Sequence, residues 1–225
     1  MEIAANTPVT FESYKIQHIV IDTTQSITEL CRIGQYFGTD KSPYNRVPGG
    51  HRHPYTSVYS MLLSPLRNKP IQFAEIGIAY GASVGMWSNF FTNARLCFFD
   101  RDENFIKRIR QENGNPYLGL MDVAVDGDVT RALTDASGQF DVILDDSSHD
   151  FNHQIRIAKE AFPFVKPGGY LLIEDVFRTR NGIDYEVALE EILEQCSMAY
   201  FAVCNHEERY SPGWNNDKIL VLIKA

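Results

Sequence analysis

The stretch IQFAEIGIAYGAS, Ile71 to Ser83, decides the fold. An apolar run, Ile71 to Ile76, enters a turn punctuated by Gly77 and Gly81, and a helical pattern follows from Ser83 to Phe91. The run is too short for a helix and is bounded by glycine, so it reads as a buried strand. The glycines permit a tight turn and close approach to the backbone. The same alternation then repeats. Strand-like runs fall at Arg95 to Phe99, Tyr117 to Met121, Phe140 to Leu144, Tyr170 to Ile173, Tyr200 to Cys204 and Ile219 to Ile223. Helical patterns separate most of them: Glu103 to Gln111, Val129 to Ala136, Phe151 to Phe164 and Tyr185 to Cys196. Strands that are apolar throughout and separated by helices imply a parallel sheet covered on both faces. No helix separates the last two runs, which predicts an antiparallel pair at the edge. The expected architecture is α/β: a Rossmann-like, doubly wound, mostly parallel seven-stranded sheet with an antiparallel edge pair.

Upstream of residue 69 the pattern changes. Helical periodicity covers Thr24 to Phe37 and Pro54 to Leu66, and between them lies the polar loop GTDKSPYNRVPGGHRH, Gly38 to His53. Unstructured loops of this length tend to be functional or disordered, and this one is expected to act as a lid. One domain, 1–225, is therefore predicted, with an N-terminal helical and lid segment over 1–68 and a catalytic core over 69–225.

Composition narrows the class. At 225 residues, 44% hydrophobic and 22% charged, the chain can bury a full core, and disorder is excluded. The apolar runs are too short to span a bilayer. The opening MEIAANTPVTFESYK lacks the basic flank and apolar run of a signal peptide. A formal charge of −8 disfavours a nucleic-acid partner. Cys31, Cys97, Cys196 and Cys204 are scattered and predict free thiols in a reducing, cytoplasmic setting. Any metal would then be a hard ion on oxygen ligands.

In open α/β sheets, ligands bind beyond the carboxyl ends of the strands. The first strand ends in Glu75-x-Gly77-x-x-x-Gly81-x-Ser83, which is not the G-x-G-x-x-G turn that cradles a pyrophosphate. Asp100 ends the second strand and Asp122 the third. A collar of Glu75, Asp100 and Asp122 suits an uncharged nucleoside bearing a cationic group better than a nucleotide. The fourth strand runs into Asp145-Asp-Ser-Ser-His149 and the fifth into Glu174-Asp175. Carboxylates gathered this closely repel one another unless a cation neutralises them. A Mg²⁺-like ion answers that, and His149 is a natural proton acceptor beside it.

The E-x-G-x-x-x-G-x-S turn resembles that of class I S-adenosylmethionine-dependent methyltransferases, the catechol O-methyltransferase type in particular. Together with Gly38-Thr-Asp-Lys41, Asp145-Asp-Ser-Ser-His149 and Glu174-Asp-Val176, the set is similar to the metal-dependent sugar O-methyltransferases of macrolide biosynthesis, such as the mycinamicin and macrocin enzymes. The likeness spans residues 34–176. It implies S-adenosylmethionine and Mg²⁺ as cofactors and a small-molecule or glycan hydroxyl as acceptor. It also implies Asp146, Glu174 and Asp175 as metal ligands, and His149 as base with Asp146 beside it in the catalytic pair. Cofactor contacts are expected from Glu75, Gly77, Gly81, Ser83, Asp100, Asp122 and Asp145. Asp145 could instead bind metal or orient a neighbour. Ser147 stands where the family usually has glycine. The family's larger N-terminal region has no counterpart here, so acceptor size does not transfer, and a homo-oligomer is compatible with the sequence.

Other readings compete. A catechol or phenol acceptor would chelate the same metal. A nicotinamide-dependent oxidoreductase would use the same sheet but wants the missing glycine turn. A non-catalytic nucleoside-binding module would not need Asp146, His149 and Asp175. Locally, His149 could simply start a helix capped by Ser148. His51 and His53 are expected to be solvated or lid residues, and Tyr55 and Tyr59 core residues. Trp214 either lines an acceptor pocket or shields the edge strands.

Overall fold

The computed structural model describes residues 15–113 and 116–225; most of the opening MEIAANTPVTFESYK lies outside them. Eight strands form one sheet: β1 (Gln17–Asp22), β2 (Gln72–Ile76), β3 (Arg95–Asp100), β4 (Tyr117–Leu120), β5 (Phe140–Asp145), β6 (Val165–Ile173), β7 (Cys196–Asn205) and β8 (Lys218–Lys224). Their order is β1-β7-β8-β6-β5-β2-β3-β4. Only β8 runs antiparallel to its neighbours, β6 and β7.

The expected fold class is observed, and the strand count rises from seven to eight. The added strand, β1, pairs in parallel with β7 at the sheet margin, so the β7–β8 pair lies one strand in from the edge. Its residues QHIVID are exposed or half-buried, and its apolar run is only three residues long, Ile19 to Ile21.

The helices are α1 (Glu29–Phe37), α2 (Tyr55–Leu63), α3 (Ala82–Phe90), α4 (Glu103–Asn113), α5 (Asp128–Asp135), α6 (Phe151–Ala161), α7 (Gly182–Ala188) and α8 (Glu190–Leu193). Alternate residues of the strands feed two cores. Ala74, Ile76, Phe99, Ile143 and Ile173 pack under α5, α6 and α7, while Phe73, Phe98, Val142, Leu144 and Leu172 pack under α2 and α3. A sheet buried on both faces explains why its strands read as continuously apolar.

Register then places the chemistry. Ile76 pairs with Phe99 and with Asp145, and Asp145 pairs with Ile173. The chain beyond each of β2, β3, β5 and β6 therefore emerges at one level. Gly77 makes the junction tight: it lies at φ +87°, and a Cβ there would stand 2.2 Å from the Asp146 carbonyl oxygen.

Candidate active site

A cleft of about 860 Å³ opens above these strand ends. Its walls include Gly77, Ser83, Asp100 and Asp122 on one side, Asp146 and His149 on the other, and Gly38, Thr39, Asp40 and His51 from the polar loop. That volume matches a drug-sized or nucleoside-sized ligand. The loop thus borders the cleft, as a lid would.

The β2–β3 half of the cleft is built by backbone. Asp100 Oδ2 accepts from the Ile78 and Ala79 amides at 3.0 and 2.9 Å, and Oδ1 accepts from the Asp102 amide at 2.9 Å. Asp100 therefore shapes the glycine turn while keeping lone pairs for a ligand. Asp122 Oδ1 accepts from the Ala124 amide at 3.0 Å.

Three expected cofactor contacts do not reach the wall. Gly81 caps α3 at φ +85° and abuts Ile109, leaving its neighbours Tyr80 and Ala82 to line the cleft. Asp145 is buried, and its Oδ1 accepts from the Ser147 hydroxyl at 2.6 Å and amide at 3.2 Å. It orients the turn, and burial raises its pKa to about 6 against the opposing Ser147 hydrogen bond. Glu75 is 0% exposed behind the wall, and neither oxygen has a hydrogen-bond partner among the described residues. Burial pushes it up to about 7, with the Lys41 ammonium 3.4 Å away pulling the other way.

The β5–β6 half is built by long side chains from distant segments. Lys41, 1% exposed, reaches from the polar loop to donate to Asp146 and, at 2.7 Å, to Glu174 Oε2. Burial disfavours its charge, but Asp146, Glu174 and Glu75 outweigh that and hold the ammonium well above its ordinary pKa. Glu174 Oε1 accepts from the Tyr59 hydroxyl. Asp175 Oδ1 accepts from the Tyr55 hydroxyl at 2.6 Å, and that hydroxyl also lies 3.0 Å from the Asn216 carbonyl. His53 stacks on Tyr55, with ring centroids 5.1 Å apart, and its Nδ1 lies 2.8 Å from Asp217 Oδ1. Burial raises the pKa of Asp146 and Glu174 even with Lys41 present.

These contacts correct several expectations. Tyr55 and Tyr59 are core residues by burial, yet their hydroxyls support the acids. His53 is buried rather than solvated, whereas His51 lines the cleft. His149 does not start α6. Asp150 does, accepting from the Asn152 and His153 amides, while Ser148 Oγ lies 2.7 Å from His153 Nδ1.

The ligand atoms of Asp146, His149 and Asp175 lie within 4.8 Å of one another. His149 Nδ1 stands 3.3 Å from Asp175 Oδ2. His149 and Asp175 both occupy left-handed backbone, φ +57° and +55°, a conformation that costs energy in a non-glycine residue and clusters at functional sites. Glu174 lies apart from this trio, held by Lys41 and Tyr59. The set fits a hard divalent cation: it offers carboxylate oxygens from the residues that follow β5 and β6.

Residues 74–176 match the sequence profile of a methyltransferase domain family. That match covers less than half of the chain, and curated proteins to which the chain is similar include sugar O-methyltransferases. The 8-demethyl-8-(2-methoxy-alpha-L-rhamnosyl)-tetracenomycin-C 3'-O-methyltransferase of Streptomyces olivaceus is 28% identical over 177 residues, 74% of this chain and 42% of that protein. The mycinamicin VI 2''-O-methyltransferase of Micromonospora griseorubida is 30% identical over 139 residues, 57% of this chain and 33% of that protein. The chain thus spans less than half the length of these relatives. In fold it is similar to a mycinamycin-pathway methyltransferase solved with Mg, SAH and mycinamycin VI (TM-score 0.65, 18% identity, 89% of this chain and 55% of that one). It is also similar to an O-methyltransferase from Bacillus cereus solved with SAH (TM-score 0.59, 15% identity, 90% and 95%). Among the described residues, no helix is long and apolar enough to cross a membrane.

Proposed function

We propose that the chain is an S-adenosylmethionine- and Mg²⁺-dependent O-methyltransferase acting on a hydroxyl of a sugar or glycoside. The observation that carries this is the trio Asp146, His149 and Asp175, two of which, Asp146 and His149, line a nucleoside-sized cleft. The sugar acceptors printed in the names of the relatives support the substrate class.

Gly77, Ser83, Asp100 and Asp122 would hold the methyl donor. Glu75, behind the wall, would set the charge there together with Lys41. Asp146 and Asp175 would hold the cation, with Glu174 able to join them if Lys41 and Tyr59 release it. When bound, the two groups supply an electrophilic methyl and a positive charge that lowers the pKa of a nearby hydroxyl. Asp175 fixes the His149 ring through Nδ1, which leaves Nε2 to accept the acceptor's proton. Proton removal by a base held this way is ordinarily worth about 10²–10⁴-fold in rate, and holding donor and acceptor in line adds to it.

The test combines metal removal with substitution. EDTA should abolish methyl transfer to a rhamnosylated acceptor and Mg²⁺ should restore it. Asp146→Asn and Asp175→Asn should raise the Mg²⁺ needed for half activity. His149→Ala should cut turnover by about 10²–10⁴-fold while S-adenosylhomocysteine affinity stays near wild type. Full activity in excess EDTA would refute the metal role. Normal turnover in His149→Ala would move the base elsewhere.

A further inference from the structure

His149 belongs to two surfaces. One of its sides faces the cleft, together with Ser147, Ser148 and Asp146. The other meets Trp214, edge to face, with ring centroids 6.1 Å apart. Trp214 is itself absent from the cleft walls. It stacks on Phe177, with centroids 5.7 Å apart and planes 22° from parallel, and it remains 45% exposed. Phe177 follows the acid pair Glu174-Asp175 by two residues. An aromatic step therefore stands beside the catalytic trio, on the side away from the methyl-donor cleft.

The step is pinned in place. The Arg178 amide donates to the Asn215 carbonyl at 2.7 Å, and the Trp214 amide donates to the Ser211 carbonyl at 3.1 Å. Asn216 accepts from Tyr55 through its carbonyl, and Asp217 pairs with His53. Arg52 and Tyr210 form an isolated bridge from the same loop to the lid. The loop that carries Trp214 is thus tied to the acids on one side and to the lid on the other. A large flat ring held in place beside a polar site offers a stacking face to a ligand.

We propose that Trp214, backed by Phe177, is the acceptor platform: it takes the C–H face of a pyranoside ring whose hydroxyls point toward Asp146, His149 and Asp175. A pyranose offers this combination, apolar across its ring face and polar around its rim. A flat phenol would stack there too, but it brings no rim of hydroxyls and no aliphatic C–H face, so the two acceptors are separated by the binding test below. Trp214 is a specificity residue for the acceptor and touches neither the methyl donor nor the cation. The inference rests on the sugar-methylating reading and names how that substrate is held.

The chain has two tryptophans, and Trp87 is fully buried. Emission from Trp214 can therefore report occupancy without turnover. With S-adenosylhomocysteine and Mg²⁺ present, methyl α-L-rhamnopyranoside should shift the protein's emission to the blue saturably. Trp214→Phe should lose the shift. Trp214→Ala should raise KM for a rhamnosylated acceptor roughly tenfold or more, with kcat, S-adenosylhomocysteine affinity and Mg²⁺ requirement near wild type, and Trp214→Phe should recover most of that loss. Wild-type KM in Trp214→Ala overturns the platform, as does an equal loss of S-adenosylhomocysteine affinity, which would mark a structural role. A shift with catechol but none with the glycoside also overturns it. Methyl transfer to catechol with none to a rhamnosylated acceptor would sink the sugar-methylating reading itself, whereas transfer to the glycoside with wild-type KM in Trp214→Ala sinks only the platform, so the two failures are distinguishable.

Discussion

The two halves of the cleft are made by opposite means. At the ends of β2 and β3 the wall is backbone and glycine, organised by Asp100 over contacts about twenty residues apart. At the ends of β5 and β6 it is charge, organised by Lys41, Tyr55, Tyr59 and His53 across more than a hundred residues of sequence. The first half is a shape that a ligand fills. The second is a set of buried charges whose balance depends on what is bound.

The sharpest way to break this contrast is to remove Lys41. Lys41→Met keeps the volume and leaves Glu75, Asp146 and Glu174 without their ammonium. Taking one partner from a buried ion pair costs about 3–5 kcal/mol. The pH dependence has a definite sign. Glu75 has its folded pKa raised to about 7, so its neutral form stabilises the fold fully below the ordinary carboxylate value, and that contribution is lost as pH rises through 7. The melting deficit of Lys41→Met should therefore be larger at pH 8 than at pH 5, and Mg²⁺ should recover part of it at pH 8. A deficit that is flat with pH and blind to Mg²⁺ would mean the acids are not the source of the loss.

The same contrast governs what could be read from sequence. The succession of strands and helices, the glycine turn and the acids after the strands are local signals, and the pairing of β5 with β2 and β6 brings the ends that precede Asp146, His149 and Asp175 to one level. The polar supports were not legible. Tyr55 and Tyr59 recur at helical spacing, and that periodicity reports burial without saying what a buried hydroxyl touches. Lys41 was visible as part of Gly38-Thr-Asp-Lys41, but its partners lie 34 to 133 residues away. Asp217 and His53 carry no spacing at all. Glu75, Gly81 and Asp145 show the converse. All three stand one step off the cleft wall, a displacement that the spacing of the motif does not reveal.

On the backbone-built side a smaller effect is expected. Asp100→Ala removes the acceptor for the Ile78 and Ala79 amides along with the lone pairs offered to a ligand. Losing charge-assisted hydrogen bonds should weaken S-adenosylhomocysteine by about 1–3 kcal/mol in calorimetry. Mg²⁺ affinity measured on the same protein should not move. If Asp100→Ala weakens the metal as much as the cofactor, the two halves are one coupled unit and the contrast fails.

The last comparison sets two buried lysines side by side. Lys41 and Lys218 are each 1% exposed, yet the Lys41 ammonium is held above its ordinary pKa and Lys218 is brought down to about 8. Burial acts on both, and the Arg178 guanidinium pushes Lys218 further in the same direction. Its nitrogen rests 4.6 Å from the centre of the Phe201 ring and donates to the Arg180 carbonyl at 3.2 Å. With its folded pKa depressed, the neutral amine's contribution is present above the ordinary lysine value and is lost as pH falls through 8. At pH 7 the fold therefore carries a buried charge at a cost. Lys218→Met should remove that cost, less the two contacts it forfeits, and raise the melting temperature by about 2–4 °C at pH 7, the equivalent of roughly 1 kcal/mol in a chain of this size. The gain should shrink toward pH 10. A gain that is the same at both pH values would assign the effect to packing, and then charge balance would distinguish Lys41 alone.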